Sequence, residues 1–221
     1  PKLYIGGRQT RPDSGYSVPV LGAGGLPIAE AGRGNRKDIR NAVEAAHQAE
    51  AGWGKATAHT RAQVLYYFAE NLSIREREFA ERLIAGGAGA PDAAGEVAAA
   101  IQRAFSYAAW ADKYDGRVHA TPFRNVTLAM NEPVGVLGLV APTEAPLLGF
   151  LSLVLPAIAM GNTVVTVPSE RFPLSATDLY QVFDTSDVPG GVINIVTGAR
   201  KELAPVLAAH DDVDGIWFFG P

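Results

Sequence analysis

Residues 134–219 constrain the fold of this chain more than any other stretch. Short apolar runs at 134–140, 163–167, 192–196 and 213–219 are separated by segments with helical composition at 146–160, 174–183 and 202–209. The run at 134–140 is apolar, and those at 163–167, 192–196 and 213–219 are strand-like. Strands separated by helices of about ten residues form βαβ units. The expected fold class is therefore α/β, a parallel sheet flanked by helices. Such sheets receive ligands outside the carboxyl ends of their strands. Those ends fall at residues 141–145, 168–170, 197–199 and 220–221.

Upstream, LYIGGRQTRPDSGYSVPV alternates and then meets turn residues, which predicts a short strand or hairpin. Gly22-Ala23-Gly24-Gly25 supplies a second turn. Asn35-Arg36-Lys37-Asp38 resembles a capping box, and Ile39, Val43 and Ala46 follow at helical spacing. Thr60-x-x-Gln63 predicts the next helix start, with Val64, Leu65, Phe68 and Leu72 on one face. Arg75-Glu76-Arg77-Glu78 is a solvated charge run. The glycine-rich run at 86–90 follows a helix rather than a strand and lacks a Lys-Ser/Thr pair, so it reads as a connector instead of a phosphate loop. Pro91 suits a first helical position, and Ile101, Phe105 and Ala108 predict an inward stripe. Residues 125–130 alternate and predict a half-buried strand.

Composition closes off several functions. The 221 residues are 48% hydrophobic and 19% charged with a net charge of −4, which gives no electrostatic case for a nucleic-acid partner. The absence of cysteine removes disulfides, thiolate metal sites and a thiol nucleophile together. His47, His59, His119 and His210 show no metal-ligand spacing. The apolar stretch 134–160 is broken by Glu144, Pro142, Pro146 and Pro156. No uninterrupted run within it reaches the roughly 20 residues of a membrane span. A buried strand followed by a buried helix is expected there. The chain opens on Pro1 with no basic-then-apolar leader, so the expectation is a segment excised from a longer polypeptide, or a processed form, with no secretory signal; a cytoplasmic location is expected.

Several ordered blocks, FSYAAWADKYDGRV, EPVGVLGLV, PAIAMGNTVV, VPGGVINIVTG and HDDVDGIWFFG, resemble the aldehyde dehydrogenase superfamily over nearly the whole chain. The opening blocks KLYIGGRQTRPDSGYSVPVLGAGG and GNRKDIRNAVEAA are most similar to the second, incomplete unit of family-sixteen dehydrogenases. The resemblance implies a helical amino-terminal part at 1–115, oligomerisation-type strands at 116–133 and a Rossmann-like βαβ half at 134–221.

It also implies a site whose key side chains are changed. Where the family has Pro-Trp-Asn, this chain has Pro142-Thr143-Glu144, and an ionised carboxylate cannot donate to an oxyanion as an amide does. Alternatively Glu144 is a solvated loop residue. Where the family has Lys-Pro-Ser-Glu, this chain has Val167, Pro168, Ser169 and Glu170, and valine offers the adenosine ribose no donor. As a plain structural reading, Val167 ends a buried strand. Where the family has Gly and a small hydroxyl residue, Gly220 is followed by Pro221, which has no N–H for a pyrophosphate. Gly198 and Gly220 then serve as turn residues. Pro168, Ser169, Glu170, Gly198 and Gly220 form a degenerate cofactor site, with no cofactor expected on this chain and NAD or NADP in the parent enzyme. Ser169 and Ser175 sit at scaffold positions, and no G-x-S-x-G elbow appears.

Three functions remain open from sequence. The first is a non-catalytic unit supporting assembly with an active dehydrogenase unit, in the same chain or as a homo-oligomer through the strand near 126–130. The second is one half of a competent NAD(P)-dependent aldehyde dehydrogenase. The third is an adaptor surface without a metabolic link.

Overall fold

The structure, a computed structural model, describes residues 2–114 and 116–220. Two hairpins open it: β1 (Leu3–Ile5) with β2 (Arg8–Thr10), and β3 (Ser17–Leu21) with β4 (Pro27–Gly32). Four helices follow: α1 (Arg36–Lys55), α2 (Ala58–Ile74), α3 (Glu76–Ala85) and α4 (Ala90–Ala111). The short β5 (Arg117–His119) and β6 (Thr127–Ala129) pair as a separate hairpin. Then come β7 (Val136–Val140), α5 (Pro146–Ala159), β8 (Thr163–Val167), α6 (Leu174–Thr177), α7 (Tyr180–Thr185), β9 (Ile193–Ile195), α8 (Arg200–Ala208) and β10 (Gly215–Phe218).

The main sheet runs β10-β7-β8-β9-β1-β2. β10, β7, β8 and β9 are parallel, and β1 adds antiparallel to β9. The α/β parallel sheet expected from the apolar runs is therefore present, extended by a hairpin that the sequence did not attach to it. Alternate residues feed two cores. Val136, Val140, Val165, Val167, Leu3 and Ile5 pack against α1 and α8. Leu137, Leu139, Val164, Ile193, Ile195 and Tyr4 face the opposite side, where α2, α4 and α5 lie. Period-two geometry thus converts each short apolar run into two buried faces.

Buried amides complete the polar accounting of this sheet. Asn194, wholly buried in β9, accepts from the Gly6 N–H (2.9 Å) and donates to the Val164 (3.2 Å) and Gly191 (2.8 Å) carbonyls. The last carbonyls of α5 have no helical partner. Ala157 is served by Asn162 Nδ2 (2.9 Å), Ile158 by Trp53 Nε1 (2.9 Å) and Ala159 by Arg61 Nε (2.9 Å). Asn162 Oδ1 also accepts from Val134 (2.6 Å) and Gly135 (3.1 Å), fixing the approach to β7.

The Asn35 capping box is present, with Asp38 reaching back to the Asn35 N–H at 2.9 Å. Other local expectations shift. Thr57, not Thr60, caps α2, because its side chain accepts from the Thr60 N–H. The inward stripe of α4 is Ala93, Val97, Ala100, Ala104, Ala108 and Ala111, with Ile101 and Phe105 only half-buried; small side chains let α4 lie close to α2 and α5. Residues 174–183 form two short helices, joined where Leu179 N–H reaches Ala176 three residues back, a 3₁₀-like tightening. Residues 125–130 are not half-buried: Val126, Leu128 and Met130 are 76%, 57% and 69% exposed, since β6 pairs only with β5 among the described residues.

Tyr4 ties the hairpin to the helical layer, its buried hydroxyl donating to Asp184 at 2.7 Å. Burial, then the hydrogen bond and negative charge of Asp184, raise the Tyr4 pKa well above the ordinary phenol range. The folded state holds this proton more tightly than the unfolded chain, so the contribution is complete below about pH 10 and is lost as pH climbs beyond it. The melting temperature is expected to fall as pH rises from about 10 to about 12, and to fall less in Tyr4→Phe, measured by circular dichroism.

Candidate functional site

At the carboxyl end of β7 the chain turns through Pro142-Thr143-Glu144 into α5. Ala145 stands at the helix start in the left-handed region, with φ 46° and ψ 64°, an uncommon place for a residue with a Cβ. No side chain of the turn caps the helix. Instead Glu96, half-buried on α4, accepts from the Leu147 (2.8 Å) and Leu148 (3.1 Å) N–H groups. A carboxylate here satisfies two orphan donors and meets the positive end of the helix dipole. Glu144 itself is exposed and makes no hydrogen bond to a described residue. It borders a cavity of about 290 Å³ shared with Glu96, Thr143, Arg171 and Phe172.

At the end of β8, Val167 is wholly buried and Pro168 is buried with it. Ser169 Oγ accepts from the Phe172 N–H (3.1 Å), and Ser175 Oγ donates to the Phe172 carbonyl (3.2 Å). Both hydroxyls therefore serve the turn. Glu170 is exposed, and its carboxylate accepts from the Arg200 N–H at 3.1 Å. Beyond β9, Thr197 Oγ1 donates to the Gly32 carbonyl (2.6 Å), and Gly198 turns at φ 152° with a Cβ-sized space closed by Gly34. Beyond β10, Gly220 turns at φ 149°; Pro221 lies outside the described residues. The glycine-rich run at 86–90 joins α3 to α4, where the Gly87 N–H closes onto the Ile84 carbonyl.

The residue that joins these ends is Arg200, at the first position of α8, which sequence reasoning passed over. Its guanidinium donates to the Ala141 carbonyl and to Thr143 Oγ1 (3.3 Å), crossing from the β9 end to the β7 end. A Cβ added to Gly220 would collide with Arg200 Nη1. Among the described residues, Arg200 Nε is buried without a partner. One signal was available: a cation in the first turn of a helix opposes the dipole, an uncommon placement.

The aldehyde dehydrogenase family pattern matches residues 18–221. The chain belongs to the aldehyde dehydrogenase family. It is 36% identical to a hydroxyisobutyraldehyde dehydrogenase of Mycolicibacterium austroafricanum, over all of this chain and 44% of that protein. It is 33% identical to the cytosolic 10-formyltetrahydrofolate dehydrogenase of Mus musculus, over 99% of this chain and 25% of that one. A solved structure of betaine aldehyde dehydrogenase from Staphylococcus aureus, in complex with NAD+, superposes with a TM-score of 0.94 at 25% identity, covering 98% of this chain and 45% of that one. The chain thus spans less than half the length of these relatives. Among its described residues no helix is long and apolar enough to cross a membrane.

The capping role of Glu96 is open to test. Glu96→Ala strands two N–H groups at the start of α5 and is expected to cost about 1–2 kcal/mol in urea unfolding, while Glu144→Ala changes stability by less than about 0.5 kcal/mol.

Proposed function

We propose that this chain is a non-catalytic aldehyde-dehydrogenase-like unit that supports assembly with an active NAD(P)-dependent aldehyde dehydrogenase unit. The observation that carries this reading is Arg200 lying across the crevice at the strand ends, bonded to Ala141 and Thr143 while Glu170 holds its N–H. A dinucleotide needs free backbone donors at a helix start and room above the sheet. Here the Arg200 N–H is consumed by Glu170, Val167 is buried without a donor, and Gly220 lies against the guanidinium. The residues present do not fit NAD or NADP. The chain also carries no thiol for a thiohemiacetal. Titration calorimetry of the purified chain with NAD+ and NADP+ is expected to show no micromolar binding; a Kd below about 100 µM, near −5.5 kcal/mol, refutes the reading.

We place the active unit in the same polypeptide or in an oligomer of such chains, with no nucleic acid or membrane involved. The Mus musculus relative supports a single long polypeptide, because the matched part is a quarter of it. The finer assignment, to the second unit of a two-unit dehydrogenase of the family-sixteen type, rests on the opening sequence blocks. The β5–β6 hairpin supports pairing between chains, since Val118 and Phe123 there are each 75% exposed. A cytoplasmic location accords with the cysteine-free composition.

A second reading, half of a competent dehydrogenase, draws support from the 36% identity to a named dehydrogenase along the whole chain. The two readings part in the longer polypeptide that carries this segment. Under the non-catalytic reading, Glu144→Gln and Glu170→Gln leave aldehyde-dependent reduction of NAD(P) within about two-fold, the scatter of surface changes. Loss of turnover with intact folding would favour the enzyme reading.

A further inference from the structure

We infer that Arg200 is an intramolecular plug, a self-blocking contact whose removal by itself opens the crevice to a dinucleotide. The inference rests on the reading that the intact chain takes up no NAD(P). It adds that one side chain, rather than the altered strand ends as a whole, enforces the exclusion.

The plug is poorly matched to its surroundings. Arg33, Arg75 and Arg82 each reach a carboxylate, on Glu202 (3.2 Å), Glu78 (2.6 Å) and Asp178 (2.6 Å). The Arg200 guanidinium has none within ion-pair distance among the described residues; its acceptors are neutral, the Ala141 carbonyl and the Thr143 hydroxyl. Its buried Nε–H lacks a partner among the described residues, so a desolvated donor goes uncompensated. The same residue opens α8, which sets the cation at the positive end of the helix dipole. These unfavourable features converge on one side chain, and none of them belongs to the walls around it.

The walls are held by other contacts. α8 is seated by Leu203, Ala204 and Leu207 in the core. The turn before it is fixed by the Gly34 N–H on the Thr197 carbonyl (2.8 Å) and by Thr197 Oγ1 on the Gly32 carbonyl (2.6 Å). At the facing strand end, the Ala141 N–H is spent on the Val167 carbonyl at 2.9 Å, which carries the β7–β8 pairing past Val140. Without the guanidinium, the Ala141 carbonyl and the Thr143 hydroxyl lose this donor. Acceptors freed in this way are satisfied by the donors of a ligand or by water. The ribose hydroxyls of a dinucleotide are such donors, and the exposed Glu170 carboxylate is a further acceptor beside them.

The test titrates NAD+ into the unsubstituted chain and into Arg200→Ala, with calorimetry for affinity and amide NMR for location. Arg200→Ala is expected to keep its circular dichroism spectrum and to bind NAD+ at least about ten-fold more tightly than the unsubstituted chain, a ratio worth about 1.4 kcal/mol. The amides of 141–145 and 198–202 are expected to shift on titration. If alanine prevents folding, Arg200→Gln, neutral and shorter, carries the same expectation. A folded variant with the affinity of the unsubstituted chain, or with shifts confined to other amides, overturns the plug and leaves the non-binding reading standing. A Kd below about 100 µM for the unsubstituted chain, near −5.5 kcal/mol, removes that reading and the plug with it.

Discussion

One buried amide, Asn194, joins the two ends of the chain. It sits in the middle of a strand covered on both faces, where an unpaired polar group costs about 1–3 kcal/mol. It escapes that cost by holding Gly6 on the hairpin and two carbonyls of the parallel sheet at once. The amino-terminal hairpin is thereby fixed to a sheet built from the last third of the sequence. Close backbone approach makes this possible: a Cβ on Gly7 would lie 2.7 Å from the Gly190 Cα. With the hairpin in place, Tyr4 reaches Asp184 and the helical layer is secured from both sides.

The same economy of polar groups governs the strand ends. Relatives of this fold place ligand there in principle, because strand ends and helix starts leave donors and acceptors unpaired. In this chain several of those groups are paired internally. Glu96 serves the start of α5, Glu170 the start of α8, and Arg200 the carbonyl at the end of β7. Together these pairings occupy donors and acceptors at three strand ends. Electrostatically, two carboxylates face two helix starts, where an anionic ligand would otherwise be favoured.

Much of this was legible in the sequence, for identifiable reasons. Short strand-like runs such as 163–167, alternating with helical segments, announced a parallel sheet because that order builds βαβ units. Asn35 and Asp38 announced a helix start because their chemistry is local. What failed was whatever depended on partners distant in sequence. The alternation at 125–130 predicted a buried face, but that face has nothing to pack against. Ile101 and Phe105 looked inward by hydrophobicity, whereas α4 turned its alanines in because neighbouring helices lie too close for larger groups. Arg200 was invisible because its meaning comes from Ala141 and Thr143, nearly sixty positions away.

The alanine-lined contact of α4 has a further implication for how such a chain can drift over evolutionary time. Truncation is the usual route by which buried positions decay, and Ala93, Ala100, Ala104 and Ala108 have almost nothing left to lose in that direction. Enlargement is the harmful direction, since an added methylene in a tight helix contact costs roughly 1–3 kcal/mol. The solvent side of the same helix carries no such restriction. Variants of this chain would therefore keep this run of small residues while the solvent side of the same helix varies.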